Sequence, residues 1–349
     1  MDELLYREIK KIRNPFRVIK MPLMARLCKY WYDNLSKKKF KQQKAKFARA
    51  CFVYFYRLGV KSEGLVEFQR SENHYKIKFD ARNTQFSSLY LEKYREAYES
   101  EIAVLLDLLV PLSGVFFDVG ANYGYFSLYV ASLSNFSGKI FSFEPHPYSY
   151  KDMNDFVNSL GLNGIIRPFH LAAYFRKDTF FVKPSGVRSG NFTLDDRSDS
   201  QKGAHKVQMD RLDNLNCPVP DVIKIDTDGS EASVLKGCSG FLVKSQPFII
   251  FESSLYNATP YKTIEPFDIL QRSGYVFYYP GWLEKVNGSG SSILRNSDDI
   301  TYDRKRIIAL SLFNSEQRFL FTERLNILAV HKNRLPELKK IFNIEARTE

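Results

Sequence analysis

The segment Val115-Phe-Phe-Asp118-Val-Gly120-Ala-Asn122-Tyr-Gly124-Tyr-Phe126 runs an apolar strand into a glycine turn that opens a helix. Gly120 and Gly124 allow a tight turn and close approach of a ligand to the backbone, and a helix N-terminus aims its N–H groups at that ligand. The spacing is G-x-x-x-G rather than the G-x-G-x-x-G of dinucleotide enzymes, which makes a dehydrogenase the weakest functional reading. One unit later, Ile140-Phe-Ser-Phe-Glu144-Pro145 places a carboxylate at the C-terminal end of the next strand, where open α/β sheets bind ligands. There a carboxylate can accept hydrogen bonds from both hydroxyls of a ribose. A surface Glu that merely ends a strand is the bland alternative.

A third block reads Val222-Ile-Lys-Ile-Asp226-Thr-Asp228-Gly229-Ser-Glu231, with Val234-Leu-Lys-Gly237 after it. Acids suit the first turn of a helix, so Glu231 is explained as a cap. Asp226, at the strand tip, needs a donor, a substrate hydroxyl or a metal ion if it faces the cleft. The following strand tip offers Glu252 after Phe251. Asp226 and Glu252 are therefore the candidate catalytic residues, with general base, hydroxyl anchor, metal ligand and structural hydrogen-bonder all open. No histidine accompanies them at a recognisable ligand spacing, and no metal site is assigned. His146, in Glu-Pro-His-Pro, is a distant second candidate for a base.

These residues need a scaffold that turns at the right places. Short apolar runs at Val115–Val119, Ile140–Phe143, Ile165–Leu171, Val222–Ile225, Phe248–Phe251, Tyr275–Tyr279 and Ile307–Leu312 alternate with helix-length segments such as Phe126–Ser134, Tyr148–Leu160, Glu231–Lys236 and Pro266–Ser273. Continuous apolar strands separated by helices indicate a parallel sheet covered on both faces. The expected fold class is α/β, a doubly wound Rossmann-like sheet with helices on both faces, preceded by a basic helical N-terminal arm. A hairpin is expected from Leu65–Phe68 and Tyr75–Phe79, and a helix from Glu99 to Leu109. Residues 175–212 interrupt the alternation, and an irregular insertion of that length in a compact fold is more often functional than idle. Within it, Arg188, Ser189 and Asn191 offer polar groups to a hydroxyl-rich acceptor, and Asp228 joins them as a candidate substrate contact. The aromatic run Tyr275–Trp282 suits stacking on sugar C–H faces or, equally, core packing.

Charge divides the chain. The net charge is +12, and residues 1–60 alone hold 16 basic and 4 acidic residues, so the remainder balances to zero. In that arm Phe40, Phe47, Cys51, Tyr54, Phe55 and Leu58 recur at helical spacings with lysines beside them, the pattern of a helix that lies on an anionic membrane surface, packs on the body, or meets nucleic acid or a partner protein. Residues 61–349 form the second expected unit. Four scattered cysteines without a C-x-x-C pair indicate reduced thiols, and no apolar run is long enough to span a bilayer or serve as a signal core. The expected location is cytoplasmic, peripheral on a membrane face.

With these residues in view, the segment from about Tyr90 to Lys332 resembles the FkbM family of S-adenosylmethionine-dependent methyltransferases, a branch of the class I methyltransferase fold. The matching elements are the acidic helix around Glu99 and Glu101, the D-V-G-A-N-x-G turn at 118–124, the F-E-P step at 143–145, and the Ile-Lys-Ile-Asp block at 223–226 continuing to Gly237, with Leu212-Asp213 shortly before it. The family usually has Glu where this chain has Asp228. The resemblance implies that S-adenosylmethionine is the cofactor, that Gly120, Asn122, Tyr123, Gly124 and Phe126 surround its methionine half above Asp118, that Glu144 and Pro145 meet its ribose, and that Ala172, within 170–173, borders its adenine. It also implies a late antiparallel strand, Ile307–Leu312 or Leu325–Val330. Methyl transfer from a sulfonium needs an in-line nucleophile, and an alcohol must also lose a proton, for which Asp226 is the candidate base. The leading expectation is an O-methyltransferase acting on a hydroxyl of a glycan, polysaccharide or lipid-linked sugar. A nucleic-acid (RNA) methyltransferase that clamps phosphates with the arm is the rival, disfavoured because Asp226-Thr-Asp-Gly replaces the Pro-Pro-aromatic run usual in base-amine methylation. A non-enzymatic tethering protein with a relic cofactor fold is the third reading.

Overall fold

The computed structural model describes residues 4–35, 54, 60–182, 205–285, 292–295 and 306–342. The chain opens with two strands, β1 (Leu5–Ile9) and β2 (Phe16–Lys20), and the helix α1 (Leu23–Leu35). The helical expectation for residues 1–60 is thus corrected at its start. In both strands more buried and exposed positions alternate from Leu5 and Phe16, which point inward, and a period of two decides against helix. The residues that carried the helical spacing, from Phe40 to Leu58, lie outside the described residues except Tyr54. Some of the basic charge is spent on the body: Arg7 donates to the Ile341 carbonyl at 2.6 Å, and Arg13 donates to Asp107 at 2.7 Å and the Tyr129 carbonyl at 3.0 Å.

The expected hairpin forms from β3 (Glu63–Arg70) and β4 (Asn73–Asp80), and β2 adds to it in a three-stranded sheet. Helix α2 (Ser100–Leu109) leads into the alternation of β5 (Val115–Val119), α3 (Tyr125–Ala131), β6 (Lys139–Phe143), α4 (Pro147–Ser159) and β7 (Ile166–Phe169). The run 165–171, expected as one strand, breaks at His170. Its partner strand β6 ends at Phe143, paired with Phe169, so no ladder continues beyond that point. The chain resumes as β8 (Leu171–Ala173), which forms a small sheet with β9 (Asp178–Val182) and β10 (His205–Asp210). Then follow β11 (Val222–Ile225), α5 (Glu231–Gly237), α6 (Ser239–Lys244), β12 (Phe248–Ser253), α7 (Pro260–Arg272), β13 (Tyr275–Lys285), β14 (Ser292–Arg295), β15 (Arg306–Phe313), β16 (Leu325–His331) and α8 (Leu335–Phe342). Helix α7 begins earlier than the expected Pro266, because Pro260 supplies the preset φ of a first helical residue and Pro266 is carried inside.

The main sheet has the order β1-β15-β13-β16-β12-β11-β5-β6-β7. From β12 to β7 the strands are parallel. Of the two late segments, Leu325–His331 runs antiparallel between β12 and β13, and Arg306–Phe313 lies beyond β13. Alternation along each strand feeds two cores: Phe116, Val222, Ile250 and Leu328 enter one, and Phe117, Ile223, Ile249 and Ile327 the other. Both faces are therefore covered, as the continuous apolar runs require. The aromatics of β13 belong to these cores rather than to a sugar site: Tyr275, Phe277, Tyr278 and Trp282 are buried, and the Trp282 indole N–H donates to Ser100 Oγ at 3.0 Å.

Arg13 ties the N-terminus to the body with three partners, the third being Ser132 Oγ, and its guanidinium lies 4.0 Å over the Tyr129 ring. Arg13→Ala is expected to cost roughly 1–3 kcal/mol, since it strips a half-buried carboxylate of its charged donor. Thermal unfolding should show a midpoint lower by a few degrees. An unchanged midpoint would mean that the N-terminus is not docked in this way.

Candidate active site

Register sets the site on one sheet face. Lys224 pairs across β11 with Asp118 on β5 and Ile250 on β12, and the same register carried two residues further sets Asp226 beside Glu252. Glu252 in turn pairs with Asn326 on β16. Since side chains alternate along strands, Asp118, Lys224, Asp226 and Glu252 share a face at the C-terminal edge of the parallel strands. The Lys224 ammonium is buried, donates to Asp226 Oδ2 at 3.1 Å and sits 4.9 Å over the Phe126 ring of α3. Burial alone would lower its pKa, but Asp226, Asp118 and Glu99 reverse that and hold it well above the ordinary lysine range.

The glycine turn is fixed by its neighbours. At Gly120 φ is +78°, and a Cβ there would stand 1.8 Å from the Asp226 carbonyl oxygen, so no other residue fits without moving β11. The N–H groups of Gly120 and Ala121 both donate to the Phe143 carbonyl. The next N–H, at Asn122, donates to Glu144 Oε2 at 2.7 Å, and the other carboxylate oxygen, Oε1, accepts from the His146 N–H at 2.7 Å. Glu144 thereby clamps the turn and the following strand tip together while still lining the cleft. Burial pushes its carboxyl up to about 8, against the lowering effect of those two N–H donors. Beneath the turn, Asp118 Oδ2 accepts from Ser127 Oγ at 2.6 Å, and Ser127 also meets Ser142 at 2.8 Å.

The opposite wall is held by side chains from later elements. Glu231 Oε1 accepts from the N–H groups of Thr227 and Gly229 and from the Thr227 hydroxyl, which fixes the loop after Asp226. Glu231 is thus a loop anchor rather than a cleft residue. Arg324 Nη1 donates to Asp228 Oδ1 at 2.7 Å and to Glu252 Oε2 at 2.9 Å, spanning two strand tips. Burial and the Asp226 charge push Glu252 well above the usual carboxylate range; Arg324 offsets only part of this. Burial and Asp226 likewise raise Glu99, which stands at φ +43°, strained for a non-glycine residue, just before α2.

The walls enclose a cleft of about 540 Å³, within the range of small-molecule sites. Ten of the sequence-derived residues line it: Gly120, Asn122, Tyr123, Phe126, Glu144, Pro145, Ala172, Asp226, Asp228 and Glu252. Asp118 lies underneath, and Gly124, at φ +86° before α3, packs on Met153 instead. Arg188, Ser189 and Asn191 lie outside the described residues. His146 is not placed as a base. It is fully buried, its Nδ1 accepts from the Ser149 N–H at the start of α4, and burial holds it down at about 4. His170 stacks on Tyr150 and bonds the Pro145 carbonyl, leaving Leu171, Ala172 and Ala173 to face the cleft. Sequence reasoning missed Lys224, Lys262 and Arg324 in the lining. Lys224 had a signal, a lone charge inside an apolar run; the other two had none.

A parallel sheet of this order, with one antiparallel strand inserted between its last two parallel members and a glycine-and-acid cleft at its C-terminal edge, is the class I methyltransferase arrangement. Residues 118–277 match the family model described as Methyltransferase FkbM domain. Over 139 residues the chain is 27% identical to the hexuronic acid methyltransferase AglP of Haloferax volcanii, a match covering 40% of this chain and 55% of that relative. The match thus spans little more than half of the curated relative's length. Among solved structures, the methyltransferase FkbM from Methylobacillus flagellatus KT is 15% identical, with 57% of this chain and 44% of that chain covered and a TM-score of 0.36. A SAM-dependent O-methyltransferase from Thermotoga maritima is 12% identical, with 71% and 77% covered and a TM-score of 0.33.

The raised Glu144 carboxyl has a consequence for the ligand-free protein. The fold favours the protonated acid, so between the ordinary 4.5 and about 8 the unfolded chain ionises while the folded chain does not, and stability falls as pH rises. Glu144→Gln removes this contribution. Urea unfolding at about pH 5 and about pH 9 should show the variant losing a few kcal/mol less than the parent between those points. Parallel losses in the two proteins would contradict the assignment.

Proposed function

We propose that this protein is an S-adenosylmethionine-dependent O-methyltransferase whose acceptor is a sugar hydroxyl. The observation that carries the reading is the Glu144 clamp: one carboxylate holds the Asn122 N–H of the glycine turn and faces the same cleft as Asp226. The residues present fit the cofactor. Gly120 lets the turn close against the Asp226 backbone and line the cleft, Glu144 has acceptor capacity for two ribose hydroxyls, and Leu171 and Ala172 give an apolar wall for a base. When bound, the cofactor supplies an already activated methyl group on a positively charged sulfur. Glu144 orients the ribose, Phe126 and Lys224 close the floor, and Asp226 accepts the proton lost by the acceptor hydroxyl. Lys224, within hydrogen-bond reach, points that carboxylate into the cleft. The sugar assignment is supported by the name of the relative AglP, a hexuronic acid methyltransferase. Glu144→Ala is expected to weaken S-adenosylmethionine binding in calorimetry by about tenfold or more, whereas Asp226→Asn should keep that affinity and lose turnover by about 100-fold. A fully active Asp226→Asn variant would remove the residue as base.

The protein is further proposed to work at the cytoplasmic face of an anionic membrane. Beside the excess charge of residues 1–60, Ile19, Leu23, Leu27 and Tyr30 are exposed large apolar side chains among Lys20, Arg26 and Lys29, a composition that suits the headgroup boundary. Full-length protein should float with phosphatidylserine-containing vesicles, and Leu23→Glu with Leu27→Glu should abolish flotation. Flotation retained in the double variant would locate the contact elsewhere.

A further inference from the structure

We infer that the acceptor sugar carries an anionic group, held at the rim of the cleft by Arg324 and Lys262. This rests on the methyltransferase reading and specifies its second substrate. Both cations line the cleft on the wall opposite Glu144 and the glycine turn, and both converge on the turn at Asp228 and Gly229. Arg324 reaches it through the 2.7 Å bond to Asp228. Lys262 reaches it because Gly229 has no side chain: a Cβ there would stand 3.3 Å from the Lys262 ammonium and 2.2 Å from the Tyr256 hydroxyl. The Gly229 φ of +109° makes the position unsuited to other residues in any case.

The arrangement is built rather than incidental. Arg318, fully buried, fixes the segment that presents Arg324: it donates to Ser253 Oγ and the Ser253 carbonyl at the end of β12, and to the carbonyls of Phe321 and Glu323. Arg324 spends one nitrogen, Nη1, on both Asp228 and Glu252, and its side chain remains 57% exposed. A guanidinium oriented through one nitrogen presents its other edge for a two-point contact with a carboxylate or phosphate. Lys262 lies 4.4 Å over the Tyr256 ring and, among the described residues, no carboxylate is paired with it.

The charge balance of the wall favours an anion. Asp226 faces Lys224, and Asp228 faces Arg324. Burial and the Asp226 charge bias Glu252 toward its neutral acid, and among the described residues no carboxylate is paired with Lys262. The cofactor adds a further positive charge, since its sulfonium and ammonium outnumber its one carboxylate. A neutral sugar would satisfy hydroxyl acceptors such as Asp228 but would leave the Lys262 ammonium without a counter-charge.

The test compares three ligands that differ only at the sixth carbon: methyl glucoside, methyl glucuronide and methyl glucoside 6-phosphate. Binding to the full-length protein is followed by ligand-observed NMR with S-adenosylhomocysteine present, and no turnover is needed. A preference of about tenfold or more for an anionic ligand over methyl glucoside supports the inference, and the tighter of the two anions identifies the group as carboxylate or phosphate. Arg324→Gln and Lys262→Gln should each reduce the preference, the double variant should abolish it, and Arg324→Lys should keep part of it. All variants should retain S-adenosylhomocysteine affinity, so failure of the cofactor reading would be seen separately as lost affinity in the parent protein. Equal binding of the three ligands, or a preference that survives the double variant, overturns the inference.

Discussion

A buried ammonium among carboxylates governs this molecule. Lys224 sits in the middle of a central strand, nearly without solvent contact, with Asp118 across the ladder and Asp226 two residues on. An isolated buried charge would cost several kcal/mol, so neither the lysine nor its acids can be considered alone. Burial raises Asp118, and Lys224 counteracts part of that rise. The same ammonium lowers Glu99, yet not enough to offset burial and the Asp226 charge. One cation thus sets the balance at the point where the two core-bearing faces of the sheet meet the cleft, and substitution at Lys224 would disturb the fold and the site together.

The two walls of the cleft are built by different means, and this decides what could be read in the sequence. The wall of β5, β6 and the turn between them is made by adjacent segments of chain. Its glycines and Glu144 lie within 25 residues of one another, and the bonds that fix it are mostly backbone bonds at Gly120, Ala121 and Asn122. Local spacing encodes such a wall, so its residues were legible. The other wall joins Asp228 to Arg324, 96 residues away, through side chains alone. Nothing in the run before β16 marks Arg324 as a cleft residue, because the partners that orient it arrive only when the sheet closes. Lys262 is similar: it sits in the first turn of a helix whose start was itself obscured by Pro266.

The same reasoning separates the correct from the mistaken parts of the fold. The strands from Val115 to Phe251 were legible because both faces are buried and the runs are continuously apolar. The N-terminal strands were not, because β1 and β2 are short, show no clean alternation of residue types (Arg7 and Glu8 are adjacent, as are Val18 and Ile19), and stand inside a segment whose charge excess drew attention to helical spacing further on. Burial was equally hard to judge for aromatics. The side chains of Tyr275, Tyr278 and Trp282 have the composition of a sugar platform, and only their place on an interior strand assigns them to the core.

On the proposed function, this division of labour has a chemical logic. A cofactor that arrives with its methyl group already activated asks little of the protein beyond position, so a rigid wall of backbone bonds and one clamping carboxylate is sufficient. An acceptor must be chosen as well as placed, and choice among hydroxyl-rich molecules depends on long polar side chains whose direction is set from behind. Arg318 supplies that support: its four donations are to a serine hydroxyl and three carbonyls, none of them charged, so it contributes geometry without cancelling its own charge. Because it is fully enclosed and bound to β12 on one side and to residues 321–323 on the other, the direction of Arg324 follows from the packing of the sheet edge and not from the ligand. On the proposed function, specificity in this cleft is therefore a property of how the last strands join the sheet, whereas cofactor capture is a property of β5, β6 and the turn that follows β5.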